Sequence, residues 1–168
     1  NIEDGCEAYK SVEGVVYDKL GTELITCPAG RSGEFVIPAA VTTVKEFAFR
    51  SCSKITKVVV PASVTLIENN AFEYCYDLEE VVFEEADNPE IADLTIATKA
   101  FYYDDLLELT FPKHLRTIES YAFGGNSRLK TVTVNSEGEL SFGTGVTSDE
   151  SSYGYSYSYV TTVNLTAS

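Results

Sequence analysis

One histidine, His114, serves all 168 residues, and no Cys-x-x-Cys pair, Gly-rich phosphate loop or nucleophile elbow accompanies it. Metal-bound water, catalytic triads and nucleotide sites therefore lack their usual components. No catalytic residue, cofactor ligand or metal ligand is assigned, and the chain is read as non-enzymatic. His114 follows Pro112 and Lys113 on a connecting segment, where an exposed loop residue is expected. Carboxylates are abundant, but pairs such as Glu79 with Glu80 or Asp104 with Asp105 are adjacent. Neighbours along a strand point to opposite faces, which is the wrong geometry for two acids working across a glycosidic bond.

Positive charge is also scarce: 12 Lys and Arg stand against 26 Asp and Glu, a net charge of −14. Such a surface repels phosphate backbones and anionic lipid, which excludes nucleic acid as an expected partner. It leaves a basic protein or a cation as candidates without choosing between them. No apolar run is long enough to cross a bilayer, and no segment reads as a signal peptide. Nothing resembles a linker between independent domains, so residues 1–168 are expected to form a single domain.

What the chain does have is a phrase repeated four times, anchored by Ala48-Phe49, Ala71-Phe72, Ala100-Phe101 and Ala122-Phe123. A self-similar unit of this length cannot bury its apolar face alone, so successive units must stack into a solenoid. The first copy reads IPAAVTTVKEFAFRSCSKITKVVV (37–60), the second VPASVTLIENNAFEYCYDLEEVVF (60–83) and the fourth FPKHLRTIESYAFGGNSRLKTVTV (111–134). Three residues after each Pro stands Val41, Val64 or Leu115, and three later Val44, Ile67 or Ile118; these point to one shared core. Beyond each Phe, apolar residues alternate (Ile55, Val58 and Val60; Leu78, Val81 and Phe83; Leu129, Val132 and Val134), the mark of a strand with one buried face. Three residues after each Phe come Cys52, Cys75, Asp104 and Asn126, small side chains placed where turning backbone amides need partners. The third copy inserts EEADNPEIADLT after Phe83, and its strand positions fall to Leu106, Leu109 and Phe111, which leaves the register of Asp104 open. Residues 84–93 read as a solvated acidic loop. They could offer oxygen ligands to Ca²⁺, although no Ca²⁺-loop spacing is present.

Written from these residues, the pattern IP-x-x-V-x-x-V-x-x-x-AF-x-x-C-x-x-I-x-x-V-x-V resembles the BspA-like leucine-rich repeats of bacterial cell-surface proteins. The stretch from Gly14 to Gly30 is similar to a segment that often precedes such repeats in that family. The resemblance implies an α/β-type repeat solenoid: a right-handed leucine-rich-repeat stack with a parallel sheet on one face and short irregular or helical turns on the other. It implies free, buried thiols at the repeat positions Cys52 and Cys75; whether Cys6 and Cys27 pair stays open. It also implies a secreted or surface-anchored location, its targeting segment already removed.

Residues 1–33 are expected to form a hairpin cap, with strands over 12–17 and 23–26 joined at Asp18-Lys-Leu-Gly21. Residues 34–134 hold the four repeats, and 135–168 a degenerate fifth unit or cap in which VTTVNL (160–165) resembles a repeat strand. The outward positions of the strands, Lys57, Val59, Glu80, Val82, Glu108, Thr110, Thr131 and Thr133, would form an extended surface for a partner. Tyr153, Tyr155, Tyr157 and Tyr159 could extend it as an aromatic platform. The partner implied by the resemblance is an extracellular or host-surface protein, or a glycan, bound by a monomer. The alternatives are a structural spacer or stalk, or a carbohydrate-binding module.

Overall fold

The computed structural model describes residues 7–86, 88, 90–135, 138–148 and 161–165. Its first strands are a cap of antiparallel β-hairpins, β1 (Tyr9–Val12), β2 (Val15–Asp18) and β3 (Glu23–Thr26). The expected hairpin between β2 and β3 is present. The Asp18 carboxylate holds its turn, accepting from the amides of Glu23 and Gly21 and from the Thr22 hydroxyl. These hydrogen bonds, that from Glu23 foremost, hold the carboxyl below the usual range. The strand expected over 12–17 is in fact two. Glu13 and Gly14 both adopt positive φ (50° and 84°), which turns the chain within two residues and starts a second hairpin.

From β3 onward each turn of the coil adds one strand to each of two sheets. One sheet continues from the cap through β5 (Thr43–Val44), β7 (Leu66–Ile67), β9 (Leu94–Ile96), β11 (Leu115–Ile118) and β13 (Ser141–Phe142). The other runs β4 (Ser32–Val36), β6 (Lys54–Val60), β8 (Glu80–Phe83), β10 (Glu108–Phe111), β12 (Thr131–Val134) and β14 (Thr162–Leu165). Within both, successive rungs pair in parallel. This corrects the α/β expectation: no helix occurs among the described residues, and the side expected to carry irregular or helical turns is itself a sheet. About ten residues separate Pro38 from Ala48, and β-branched Thr42, Thr43 and Val44 occupy the middle; extended backbone suits them better than one helical turn would. The apolar positions spaced by three are the inward residues of these short strands, Val44, Ile67, Leu115 and Ile118, and of the turns that lead into two of them, Val41 and Val64, all buried.

Between the sheets the Ala-Phe pairs form a spine. Phe49, Phe72, Phe101 and Phe123 are fully buried and stack almost face to face, with centroids 4.5, 4.7 and 5.1 Å apart and planes within 11°. Stacking at this spacing requires the backbones to approach, and Ala supplies the small side chain. The first three Phe amides donate to the Ala carbonyl of the next rung, Phe49 to Ala71, Phe72 to Ala100 and Phe101 to Ala122, all at 2.7 Å, and Phe123 donates to Val146 at 2.8 Å. Cys27 donates to Ala48 in the same way, so it fills the Phe slot of the rung before the first repeat.

The residue three beyond each Phe closes the neighbouring turn. Cys52 Sγ donates to the Cys27 carbonyl (3.7 Å), Cys75 Sγ to that of Phe49 (3.1 Å) and Asn126 Nδ2 to that of Phe101 (2.7 Å). Asp104 belongs to the same ladder, its Oδ1 accepting from the Cys75 amide at 2.8 Å, which places it in register. Cys27, Cys52 and Cys75 are free and buried; Cys6 lies outside the described residues. Contact with the Cys52 thiol, then burial, pushes the Cys27 thiol up, and burial does the same to Cys75. The same contact holds the Cys52 thiol below the usual range, but Cys52 is fully buried, and thiols closed off from solvent react slowly. Ellman's reagent should therefore leave these three unlabelled in the native chain and label all of them in denaturant, as read by peptide mapping. Rapid native labelling of Cys52 would contradict a closed stack.

His114 is a second correction. It is 6% exposed, not a surface residue. Its carbonyl accepts from the Leu94 amide at 2.8 Å, and burial pushes its imidazole below the usual range despite the nearby Glu85. Leu94, Glu85 and Asp93, which lie beside it, come from the insertion of the previous rung, a neighbourhood that local sequence does not reveal.

Candidate functional site

The outward face of the six-stranded sheet arranges the residues expected to meet a partner in two rows. Lys57, Glu80, Glu108 and Thr131 are register partners in sequence across β6, β8, β10 and β12; Val59 pairs with Val82, and Thr110 with Thr133. Tyr153, Tyr155, Tyr157 and Tyr159 lie outside the described residues.

One junction in this face is irregular. β6 and β8 pair over four positions and β10 and β12 over four, but β8 and β10 share only Glu80 with Glu108. The insertion after Phe83 lengthens the path to β9, so the strands start together, with Leu107 donating to Glu79 at 3.2 Å, and then separate. The eight-stranded sheet stays paired through β7, β9 and β11. The coil therefore opens on one side alone.

The opening is a cleft of about 720 Å³ lined by Lys57, Glu80, Val82, Glu108 and Thr110 together with Glu34, Thr56, Glu79, Val81, Phe83, Glu85 and Leu107. Val59, Thr131 and Thr133 do not line it. Five carboxylates face one lysine in this space. Lys57 pairs with Glu80 at 3.3 Å, and at the rim Arg128 joins Glu79 (2.8 Å) and Asp105. Glu34, Glu85 and Glu108 leave the cleft negative, above a half-buried apolar floor at Val82.

Of the five glutamates, Glu80 and Glu108 were among the residues expected from sequence, whereas Glu34, Glu79 and Glu85 were missed. A signal for Glu34 existed, because Phe35-x-Ile37-Pro38 repeats the spacing of Val58-x-Val60-Pro61 and marks β4 as one more rung. Glu85 carried none, since only the splayed strands bring it in. Elsewhere the insertion spends its charge locally: Asp93 pairs with Arg116 at 3.2 Å and Glu85 accepts from the Lys113 amide at 3.1 Å. Among the described residues no group of three His, Cys, Asp or Glu side chains could hold a metal ion; Asp87 lies outside them.

Residues 94–142 match the family model described as the BspA type leucine rich repeat region (6 copies). These are BspA-type leucine-rich repeats. The coil as a whole has the fold of several solved structures. The pneumococcal vaccine antigen PcpA superposes with a TM-score of 0.70 and 24% identity, covering 84% of this chain and 35% of that one. A leucine rich cell surface protein from Faecalibacterium prausnitzii A2-165 gives 0.69 and 21%, over 96% and 40% of the two chains. A leucine-rich repeat protein from Bacteroides capillosus ATCC 29799 gives 0.55 and 21%, over 96% and 100%. The chain thus spans 35% and 40% of the length of the first two. No curated protein matches the sequence. No helix among the described residues is long and apolar enough to cross a membrane.

Proposed function

We propose that this BspA-type repeat unit is a non-catalytic protein-binding module, secreted or held at a bacterial cell surface, that grips a basic segment of an extracellular or host-surface protein through the six-stranded face. The observation that carries this reading is the negative cleft between β8 and β10. Its carboxylates attract Lys and Arg, its partly apolar floor accepts their aliphatic stems, and the parallel rows on either side extend the contact. A bacterial leucine rich cell surface protein among the neighbours by fold supports the location.

Surface plasmon resonance against extracellular-matrix proteins and a lysine-rich peptide tests the proposal. Saturable binding is expected, falling as salt rises, and weakened about tenfold or more by Glu80→Lys combined with Glu108→Lys. Glu80 and Glu108 are exposed, so the double variant should keep its unfolding temperature. Binding that ignores the reversal, or none at all, would remove adhesion through this face and favour a spacer role.

A further inference from the structure

The insertion after Phe83 is fastened to one short segment of the following rung, residues 112–116. Near its start Glu85 Oε2 accepts from the Lys113 amide at 3.1 Å. At its far end Asp93 pairs with Arg116 at 3.2 Å, and the Leu94 amide donates to the His114 carbonyl at 2.8 Å. Arg116 in turn donates to the Lys113 and Leu115 carbonyls, both at 2.7 Å, so the segment forms a braced clasp. Glu85 also lines the cleft. One clasp therefore holds both the loop that splays β8 from β10 and a carboxylate that makes the opening negative.

His114 stands between the two fastenings, buried, with Nδ1 enclosed and without a hydrogen-bond partner. A neutral imidazole can leave that nitrogen as a bare lone pair. An imidazolium cannot, because both nitrogens then carry protons that need acceptors, and its charge must be hydrated or paired. Three charged groups act on it: Glu85 and Asp93 from the insertion, and Arg116 from β11. Both carboxylates are already engaged, and the guanidinium repels. Burial outweighs all three, so the clasped chain holds the imidazole below its ordinary value of 6.5, whereas a released one titrates near that value. The released state thus binds more protons, and the clasp loses stability as pH falls below about 6.5. Histidine is the side chain whose ordinary titration lies in this window, and the chain has only one.

We propose that His114 makes the clasp a pH-operated release. In mild acid the imidazolium draws Glu85 away from the Lys113 amide, the insertion lifts from residues 112–116, and the cleft weakens its hold on a basic partner. Glu85 is the carboxylate that moves, because a neutral amide holds it, whereas the Arg116 guanidinium holds Asp93. Once turned towards His114, Glu85 no longer adds its charge to the cleft. That effect on the partner rests on the reading of the cleft given above; the release itself does not.

Nuclear magnetic resonance of the full chain tests it, since a lone imidazole gives an unambiguous signal. From pH 8 to 5 the imidazole is expected to titrate with a midpoint below about 6.5. The Lys113 and Leu94 amides should shift with the same midpoint and lose protection from hydrogen exchange about tenfold or more, after correction for intrinsic rate. His114→Gln, which stays neutral, should show neither amide change, with its fold confirmed by circular dichroism. It keeps Asp104, whose carboxyl is also displaced upward, so the comparison separates the two groups. Affinity for the lysine-rich peptide should fall about threefold or more from pH 7.5 to 5.5 in the wild type, and by less in His114→Gln. An imidazole midpoint at or above 6.5, no titration above pH 5, amides that do not follow the imidazole, or equal exchange in both chains overturns the release; the wild-type titration needs no variant to decide this. A peptide bound at neither pH overturns the reading of the cleft instead, and the titration still decides the clasp.

Discussion

Phe101→Ala is expected to destabilise the coil by about 3–5 kcal/mol, the range for removing a fully buried aromatic ring, and to lower the unfolding temperature by on the order of 10 °C. Phe101 has no slack around it. Phe72 and Phe123 stack on its two faces at 4.7 and 5.1 Å, and Phe83 meets it edge-on at 6.4 Å. The backbone on both sides is fixed by amide bonds to the adjoining rungs, so the vacated space cannot collapse. In a stack where each unit touches only its neighbours, the loss falls on the two interfaces that Phe101 bridges. Urea or thermal unfolding followed by circular dichroism reads the effect. Phe142→Ala is the control, because that ring is 56% exposed at the end of the short-strand sheet and its loss should change stability by no more than about 0.5 kcal/mol. Equal effects at both positions would refute a continuous Phe spine.

Asp104→Asn should stabilise the chain, and increasingly so as pH rises. Asp104 is buried with one oxygen bonded to the Cys75 amide and the other, Oδ2, without a partner. Burial, reinforced by the charge of Glu73 and only partly offset by the Cys75 amide, holds its carboxyl well above the usual carboxylate range. The rungs on either side show what the position needs: Cys75 and Asn126 each donate to the carbonyl of the Phe one rung earlier. A proton on Asp104 Oδ2 gives it that capacity towards Phe72, and an amide would have it at every pH. Above about pH 4 the unfolded chain releases this proton while the folded one retains it, so the folded state binds more protons and stability falls with rising pH. Asparagine removes that dependence. The gain should be near zero at pH 4 and reach about 1–3 kcal/mol at pH 8, the scale of an unsatisfied buried polar group, when urea unfolding is compared at the two values. An equal gain at both, or a loss at pH 8, would contradict a proton held at this site.

The coil was legible because its constraints recur. Every repeat must supply a ring, a small residue beside it and a residue three later that can satisfy a turn, so Ala48-Phe49 through Asn126 announce themselves by spacing. Cys27 does not, because a thiol fills the slot where a ring stands in the repeats. β4 was missed for a related reason. Ser32-Gly33-Glu34 is polar, and Gly33 adopts positive φ (76°) where the pairing with β6 shifts register. The second sheet was invisible because two-residue strands such as Thr43–Val44 are too short to display a period, and their pairing comes from rungs more than twenty residues away. The candidate site was half visible. Alternation places Lys57, Glu80 and Glu108 on the outer face, but the cleft exists only because one junction splays.

That single splayed junction has an evolutionary corollary. The strands behind it remain laced together, so the length of one surface loop sets the gape while the spine stays intact. Adding or deleting residues between Phe83 and Leu94 would widen or shut the mouth like an adjustable aperture, giving related coils a way to change what they hold without rebuilding what holds them up.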